Sequence, residues 1–187
     1  MTGIRATACC HGFFVPLSVV DFQKGERYVN ASEASCYYSA FIFNFRQINM
    51  DYSLCKALSY NMDDIPVALV MYDIMCQYRV NFHQRVNTSS ELSLPDGLEL
   101  RMGIGLFHIH GHQDSCLPRY SPSYIPGAKQ VDGEIIETLW APLNNISRSL
   151  RGMTLNHRQE VLDAHMNHSN WKKLVRIGAP FRSHDYI

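Results

Sequence analysis

An aspartate follows the most apolar segment of the chain. Residues 67–72 are Val-Ala-Leu-Val-Met-Tyr, with no charged side chain, between Pro66 and Asp73. This run predicts a β-strand buried on both faces, with Asp73 held on rigid backbone at its carboxyl end. Carboxylate oxygens in such a place suit a hard divalent ion such as Mg²⁺. The alternative is that Asp73 caps the helix after the strand.

Two glutamates follow a turn later in the chain. Asp132 can cap a helix from Gly133 to about Trp140, which we expect to end before the proline two residues further on. Glu134 and Glu137 are three residues apart and share one face near the positive N-terminus of that helix. Because neighbouring carboxylates repel each other, a cation, a basic residue or water must compensate them. This segment is therefore either a second source of metal ligands or a solvated acidic first turn.

Histidines and a cysteine are concentrated in residues 107–116. Imidazole and thiolate suit Zn²⁺, and His108 and His112 have the His-x₃-His spacing of zinc sites, with Cys116 close behind. The segment Cys9-Cys10-His11 could complete such a site. The alternative is a hydrogen-bonded histidine cluster at the end of a strand.

The rest of the sequence contains segments with helical periodicity and segments with the alternation typical of strands. The predicted elements are a helix over residues 32–58 with Ser32 as N-cap, a helix with Cys76, Val80, His83 and Val86 on one face, a strand over residues 98–106, and a C-terminal helix from Asn156 to a stop at Gly178 and Pro180. Residues 1–30 are expected to be loop with short strands. The mixture predicts an α/β or α+β fold.

Length, charge and composition exclude several classes of protein. At 187 residues the chain forms one domain or two at most, and 46% apolar residues suffice for a core. The 17 basic and 17 acidic side chains cancel, which excludes a disordered chain and a generally basic nucleic-acid coat. The longest apolar run, residues 65–72, is far short of the ~20 residues that span a bilayer. The 6 irregularly spaced cysteines predict reduced thiols in the cytosol or nucleus.

The end of the chain has a mild basic bias. Four of its basic residues, Arg148, Arg151, Lys172 and Lys173, are the candidates for contact with DNA phosphates. The alternative is a pair of helices whose charged residues are merely solvated.

These segments together resemble the Kyakuja-Dileera-Zisupton (KDZ) transposases of fungal genomes, in the form of cysteine-cluster KDZ transposase-associated proteins. The matching landmarks follow the family order: Thr2-Gly3-Ile4, Cys9-Cys10-His11-Gly12, Asp21 to Tyr28, Asn49-Met50-Asp51-Tyr52, Tyr72 to Gln77, the His108, His112 and Cys116 segment, Asp132-Gly133-Glu134 with Glu137 and Trp140, and Asp163 to Lys173. The resemblance covers nearly the whole chain.

The resemblance implies a DDE-type enzyme with an RNase H-like core. Three carboxylates of such a core bind two Mg²⁺ or Mn²⁺ ions, which activate water or a DNA 3′ hydroxyl against a phosphodiester. By resemblance Asp73 is the second carboxylate and Glu134 or Glu137 the third, while His112 and Cys116 belong to a His/Cys signature. The implied partner is the DNA of transposon ends, and the implied location is the nucleus.

Three departures from the family predict that the chain is inactive alone. The first catalytic aspartate of the family lies on a strand upstream of Thr2-Gly3-Ile4, so we expect residues 1–187 to be a partial catalytic domain without its first strand. We expect at most one weakly bound ion unless Asp132 replaces that ligand. The Glu-Arg pair of the family is Glu137-Thr138 here. Residues 31–48 have no family counterpart and are expected to be an insertion encoded by a read-through intron, which lies outside the core as a peripheral helix or loop. The alternative is a non-enzymatic remnant that binds DNA or zinc.

Overall fold

A computed structural model describes residues 4–21, 36–128 and 131–182, with side chains described throughout except at residues 36–46 and 178–182. The chain divides into two compact units. The first comprises Met1–Thr7 and Val15–Glu134, and the second Ala8–Phe14 and Ile135–Ile187.

The first unit has two small sheets. Strands β1 (Ile4–Arg5) and β2 (Val20–Asp21) are antiparallel, whereas β3 (Val67–Met71) and β4 (Glu99–Gly103) are parallel. The register pairs Val67 with Glu99 and Met71 with Gly103, and the Tyr72 N–H continues the ladder to the Gly103 carbonyl at 3.0 Å. Since parallel strands end on the same side, the segments after β3 and after β4 lie at one edge of this sheet.

Short helices connect the parallel strands. Helix α2 (Met75–Tyr78), a 3₁₀ turn (Arg79–Asn81) and helix α3 (Phe82–Thr88) follow each other. The predicted helical segment exists, but its predicted face is wrong apart from Val86. The buried residues are Met75, Tyr78, Phe82 and Val86, whereas Val80 is 71% exposed and His83 is exposed. The larger apolar and aromatic side chains give more free energy on burial and decide the face.

Helix α1 (Cys36–Leu58) supplies another side of the core. The helix predicted over residues 32–58 is therefore present from Cys36, while its predicted N-cap, Ser32, lies outside the described residues. The core of the first unit consists of Leu54, Cys55, Leu58, Met75, Tyr78, Phe82, Val86, Leu92, Ile104, Ile109 and Tyr120. The predicted insertion, residues 31–48, overlaps the start of α1, and Phe41 and Phe45 are among the side chains that are not described.

The two predicted strands of this sheet are shorter and less buried than expected. The strand predicted over residues 98–106 covers Glu99–Gly103, and the chain leaves the sheet there. Each residue of β3 is half-buried, so the prediction of a strand buried on both faces is wrong. The reason is that, among the described residues, β3 has one neighbouring strand.

The segment after β4 turns several times before it reaches Asp132. It contains 3₁₀ turns at His108–Gly111, Asp114–Cys116 and Pro122–Tyr124, and the short helix α4 (Leu117–Tyr120). Ile109 and Tyr120 anchor this segment in the core, at 2% and 8% exposure. Backbone hydrogen bonds then fix its entry and exit, from Ile104 N–H to the Tyr120 carbonyl and from Leu106 N–H to the Asp132 carbonyl, both at 2.8 Å.

The second unit consists of helices α5 (Ile135–Leu150) and α6 (Leu155–Arg182) and a tight turn near the N-terminus. In that turn Ala8 pairs with Phe14, and Cys9 N–H donates to the Phe13 carbonyl at 2.9 Å. The core of this unit is formed by Phe14, Leu139, Leu143, Leu150, Leu162 and Met166.

Both helices of the second unit run past their predicted ends. Helix α5 continues through Pro142, which the sequence predicted to stop it, because the buried leucines on either side hold one face of the helix in the core. Helix α6 contains Gly178 and Pro180, where its end was expected. Once a helix has propagated over twenty residues, single breakers weaken its last turns without ending it.

The observed fold is thus α/β, as predicted. None of the helices that the structure describes is both long and apolar enough to cross a lipid bilayer.

Candidate metal centre

Asp73 lies directly beyond β3, at the carboxyl edge of the parallel sheet. Its side chain is 50% exposed, and its Oδ1 is 3.7 Å from Nδ1 of His108. His108 begins the first 3₁₀ turn after β4. Asp73 and His108 therefore follow the two parallel strands, and their side chains lie close together beyond the edge where both strands end.

Glu134, which follows His108 in the sequence, contacts the same imidazole. Its Oε2 is 2.9 Å from His108 Nδ1, and its Oε1 accepts the backbone N–H groups of Phe107 at 3.1 Å and of His108 at 3.5 Å. Since Asp73 and Glu134 both approach His108 Nδ1, their carboxylate oxygens cannot be farther apart than the sum of these two distances. We call Asp73, His108 and Glu134 the carboxylate cluster.

Two glycines allow Glu134 to come this close to the strand end. A Cβ on Gly105 would collide with the Glu134 carboxylate, and a Cβ on Gly133 would lie 3.0 Å from Cα of Gly105. Gly133 also has φ +78°, a left-handed conformation that glycine adopts without strain. The Asp-Gly-Glu sequence is therefore a tight turn packed on the end of β4.

The carboxylate partner of His108 indicates which ring nitrogen donates. An ionised carboxylate only accepts hydrogen bonds, so the contact with Glu134 places the imidazole proton on Nδ1. In the neutral form of the imidazole the lone pair is then on Nε2. A carboxylate has about four acceptor sites, of which Glu134 uses three, so one site on Oε2 remains for a cation.

A second group of metal-ligating atoms lies in the same unit. The ligand atoms of Cys76, His112 and Cys116 are all within 4.8 Å of one another, and each residue is half-buried. Cys76 Sγ is 3.4 Å from His112 Nδ1. Burial and the neighbouring Cys116 thiol raise the pKa of Cys76. We call these three residues the Cys/His cluster.

The structure separates the predicted histidine pair. His108 is hydrogen-bonded to Glu134, while His112 lies with Cys116. A short 3₁₀ turn at His108–Gly111 leads from one cluster to the other, so the two histidines with zinc-like spacing have different neighbours. Cys9, Cys10 and His11 belong to the second unit, where Cys10 Sγ contacts His11 Nδ1 at 3.7 Å.

The other predicted site residues have different surroundings. Asp132 is exposed and its Oδ1 accepts the Glu134 N–H at 3.1 Å, so it caps the turn. Glu137 lies in the first turn of α5, in the second unit. The basic residues Arg148, Arg151 and Lys172 are exposed.

Lys173 is half-buried, unlike its neighbour. Its ammonium group lies directly against Gly12, in the turn at the start of the second unit. Of these two candidates for contact with DNA phosphates, Lys172 is therefore the more exposed.

Sequence reasoning missed Cys76 as a ligand. The residue is part of the Tyr72 to Gln77 landmark and was placed on one face of a predicted helix with Val80, His83 and Val86. The available signal was that Cys76 is only three residues from Asp73. A strand end that holds Asp73 in place also holds the first turn of the following helix, which contains Cys76.

The geometry defines an α/β protein with a candidate metal centre at the carboxyl edge of a parallel sheet. Residues 41–170 match the family model of the Kyakuja-Dileera-Zisupton transposase, which is more than half of the chain. The chain belongs to this family, and its function is related to transposition. No curated protein and no solved structure matches the chain. The family match begins within the predicted insertion, residues 31–48, and ends at Asn170.

Proposed function

We propose that the chain supplies metal-binding carboxylates of an RNase H-like, DDE-type catalytic domain that cuts and joins DNA. The observation that carries this proposal is the approach of Asp73 and Glu134 to one nitrogen of His108, at 3.7 and 2.9 Å. The two carboxylates come from distant segments and meet where two parallel strands end. That is the edge at which α/β sheets place their ligands.

The donor set fits one hard divalent ion, Mg²⁺ or Mn²⁺. Asp73 is half exposed, which leaves room around it for water and phosphate oxygens. Glu134 has one acceptor site left after its three hydrogen bonds, so Asp73 would be the principal ligand. When bound, such an ion polarises a phosphodiester and lowers the pKa of water.

The protein residues have separate tasks in this proposal. Glu134 fixes the turn at Phe107 and His108 and orients the imidazole. In its neutral form, the Nε2 lone pair of His108 can accept the proton of the attacking hydroxyl, whose oxygen bonds to phosphorus as the 3′ oxygen leaves with its electron pair and takes a proton from water. Whether Glu134 or Glu137 is the third carboxylate is decided by comparing the two variants.

We further propose that the 187-residue chain alone binds one ion weakly and does not cleave DNA. A two-ion mechanism needs carboxylates shared between ions about 4 Å apart. In the described part of the first unit the carboxylate cluster offers two carboxylates, and Glu134 is largely engaged. Losing a shared ligand costs several kcal/mol of transition-state stabilisation, and each 1.4 kcal/mol is a factor of ten in rate.

The test combines Mn²⁺ binding with plasmid nicking. Electron paramagnetic resonance of free Mn²⁺ should show one weak site that Asp73→Asn removes, that Glu134→Gln or Glu137→Gln weakens, and that the exposed control Asp114→Asn leaves intact. Supercoiled plasmid with Mg²⁺ or Mn²⁺ should remain uncut above background. An unchanged Mn²⁺ site in Asp73→Asn refutes the ligand assignment. Nicking that disappears in Asp73→Asn refutes only the proposed inactivity.

A second candidate function is DNA binding without catalysis, and the exposed basic residues of the second unit favour it. On α6, His165, His168, Lys172 and Arg176 are all exposed and recur at three- and four-residue intervals, so they lie along one helical face. Arg148 and Arg151 add charge at the end of α5. Phosphate contacts by such residues bind DNA without regard to sequence.

Salt dependence of DNA affinity tests this candidate. Each lost phosphate contact should lower the slope of log affinity against log salt by about 0.9. We expect Arg148→Ala, Arg151→Ala and Lys172→Ala each to show this change in fluorescence anisotropy with duplex DNA, and Lys56→Ala of α1 to serve as a charge-matched control. Equal slopes in all variants would refute the assignment. Either function places the protein with DNA, in the nucleus.

A further inference from the structure

The Cys/His cluster is separate from the carboxylate cluster and has a different chemistry. Its donors are two thiols and an imidazole, which select Zn²⁺ over Mg²⁺. Two of the three ligands lie close in sequence to a buried residue. Met75, next to Cys76, is fully buried, and Ile109, three residues before His112, is 2% exposed.

The distances in the cluster match a tetrahedral zinc site. Zinc bonds of ~2.3 Å to sulfur and ~2.1 Å to nitrogen place ligand atoms roughly 3.6 Å apart in that geometry. Cys76 Sγ and His112 Nδ1 are 3.4 Å apart, and the whole set lies within 4.8 Å. The ligands therefore need little movement to enclose an ion.

The backbone around the ligands is also held in place. The His112 N–H donates to the Ile109 carbonyl at 3.1 Å, and the Cys116 N–H donates to the Gln113 carbonyl at 2.8 Å. Cys76 lies in α2. A preorganised set of this kind avoids much of the entropy that ligands otherwise lose when they bind an ion.

We propose that Cys76, His112 and Cys116 bind one Zn²⁺ ion, with water in the fourth position. The ion links α2, which follows β3, to the segment after β4. Asp73 precedes Cys76 by three residues and His108 precedes His112 by four. Zinc therefore holds in place the two segments that carry the carboxylate cluster, and this role does not depend on the proposed DNA cleavage.

The first experiment measures zinc in the full 187-residue chain purified under reducing conditions. Mass spectrometry of the metal content should give one equivalent of zinc. Cys76→Ser, Cys116→Ser and His112→Gln should each weaken zinc binding by more than the ~10-fold that loss of an outer-shell partner costs. The matched controls are His110→Gln, an exposed histidine of the same turn, and Cys10→Ser, an exposed cysteine of the other unit. Both should bind zinc as the unmodified chain does.

A second experiment uses the unmodified chain, so misfolding of a variant cannot affect it. Zinc should protect Cys76 and Cys116 from alkylation by N-ethylmaleimide, and a chelator should remove that protection, while Cys10 reacts in both states. Co²⁺ in place of zinc should show thiolate-to-cobalt charge transfer and tetrahedral d–d bands. Equal labelling with and without zinc, a cobalt spectrum without thiolate bands, or a disulfide between Cys76 and Cys116 would each overturn the proposal.

Discussion

The Asp51 carboxylate of α1 accepts two hydrogen bonds from the Arg85 guanidinium of α3, at 2.6 and 2.9 Å, with the Asp51 side chain 1% exposed. Arg85 also donates to the Tyr78 carbonyl at 3.2 Å, and its guanidinium lies 5.0 Å from the centre of the Tyr78 ring. Burial lowers the pKa of Arg85, but the hydrogen-bonded Asp51 carboxylate outweighs it and raises the pKa above its ordinary value. Arg85 therefore stays charged at every accessible pH.

We expect Asp51→Asn to lower the free energy of unfolding by about 3–5 kcal/mol, because it leaves the Arg85 charge buried without its counter-ion. Urea denaturation measures the change. Glu99→Gln is the control, since Glu99 pairs with Arg101 at 2.8 Å but is 58% exposed, and such pairs contribute about 1 kcal/mol or less. Equal losses in the two variants would contradict a special role for the buried pair.

The Tyr78 hydroxyl is buried and has no hydrogen-bond partner among the described residues. Burial and the nearby Asp51 carboxylate raise its pKa, so it remains neutral. We expect Tyr78→Phe to leave the free energy of unfolding unchanged or to increase it by up to about 1 kcal/mol, because the variant removes an unsatisfied polar group and keeps the ring. A loss larger than this in the same urea assay would indicate a hydrogen bond to the hydroxyl.

Cys55 gives stability a dependence on alkaline pH. It is 3% exposed, and burial, with a smaller effect of Asp51, raises its pKa to about 11. The unfolded thiol ionises at lower pH, so the unfolded state gains stability first as pH rises. We therefore expect the contribution of Cys55 to be complete below pH 9 and to be lost between about pH 9 and 11. Urea denaturation across this range measures it, and in Cys55→Ala the fall should be shallower. An equally steep fall would contradict the assignment.

Gly105→Ala tests the packing of the carboxylate cluster. The added Cβ collides with the Glu134 carboxylate, so Glu134 must release at least part of its hydrogen bonds to Phe107 and His108. We expect a loss of about 1–3 kcal/mol and weaker Mn²⁺ binding, measured by urea denaturation and paramagnetic resonance. Gly111→Ala is the control, since its Cβ would meet no atom within 4 Å. Identical Mn²⁺ binding in both variants would show that Glu134 does not organise the site.

Asn170 pairs with the backbone of Phe14 in the second unit. Its Oδ1 accepts the Phe14 N–H and its Nδ2 donates to the Phe14 carbonyl, both at 2.9 Å. We expect Asn170→Ala to lower the free energy of unfolding by about 1–3 kcal/mol, because it leaves two backbone groups unpaired. The control is the exposed Asn167→Ala in the same helix, which should change little. The same stability for both variants would argue against the pairing.

Local patterns were enough to predict the strands and the approximate helices. The uninterrupted apolar run before Asp73 and the alternation near Leu100 correspond to β3 and β4, and glycines near residue 103 mark the end of β4. Helix ends were missed at Pro142 and Gly178, because packing over a whole helix outweighs one unfavourable residue. The face of α2 and α3 was missed for a similar reason, since periodicity alone does not rank the side chains that compete for the core.

The resemblance grouped Asp73 with Glu134 or Glu137, but spacing in the sequence did not group His108 with them. Asp73, His108 and Glu134 were all candidates, yet their meeting depends on the parallel pairing of β3 with β4 and on close contact between Gly105 and Gly133. The spacing of His108 and His112 is that of two ligands of one zinc ion. In the structure His108 contacts Glu134, whereas His112 lies with Cys76 and Cys116. Cys76 needed the fold to bring it to His112.

The insertion over residues 31–48 stays a prediction. Helix α1 runs unbroken from Cys36 through the landmark that contains Asp51, and Gln47 is 8% exposed. Transcript sequencing decides the question, because only a spliced form lacking these codons would show a read-through intron.

The Phe14 and Asn170 pairing spans 156 residues of sequence. A ribosome that adds ~5–20 residues per second needs roughly 8–30 s to make the chain between the two partners. For that time Phe14, an apolar side chain that is 4% exposed in the folded protein, lacks its Asn170 partner. The second unit is thus completed only after Asn170 has been made, and its first seven residues, Ala8–Phe14, are open to chaperones and proteases until then.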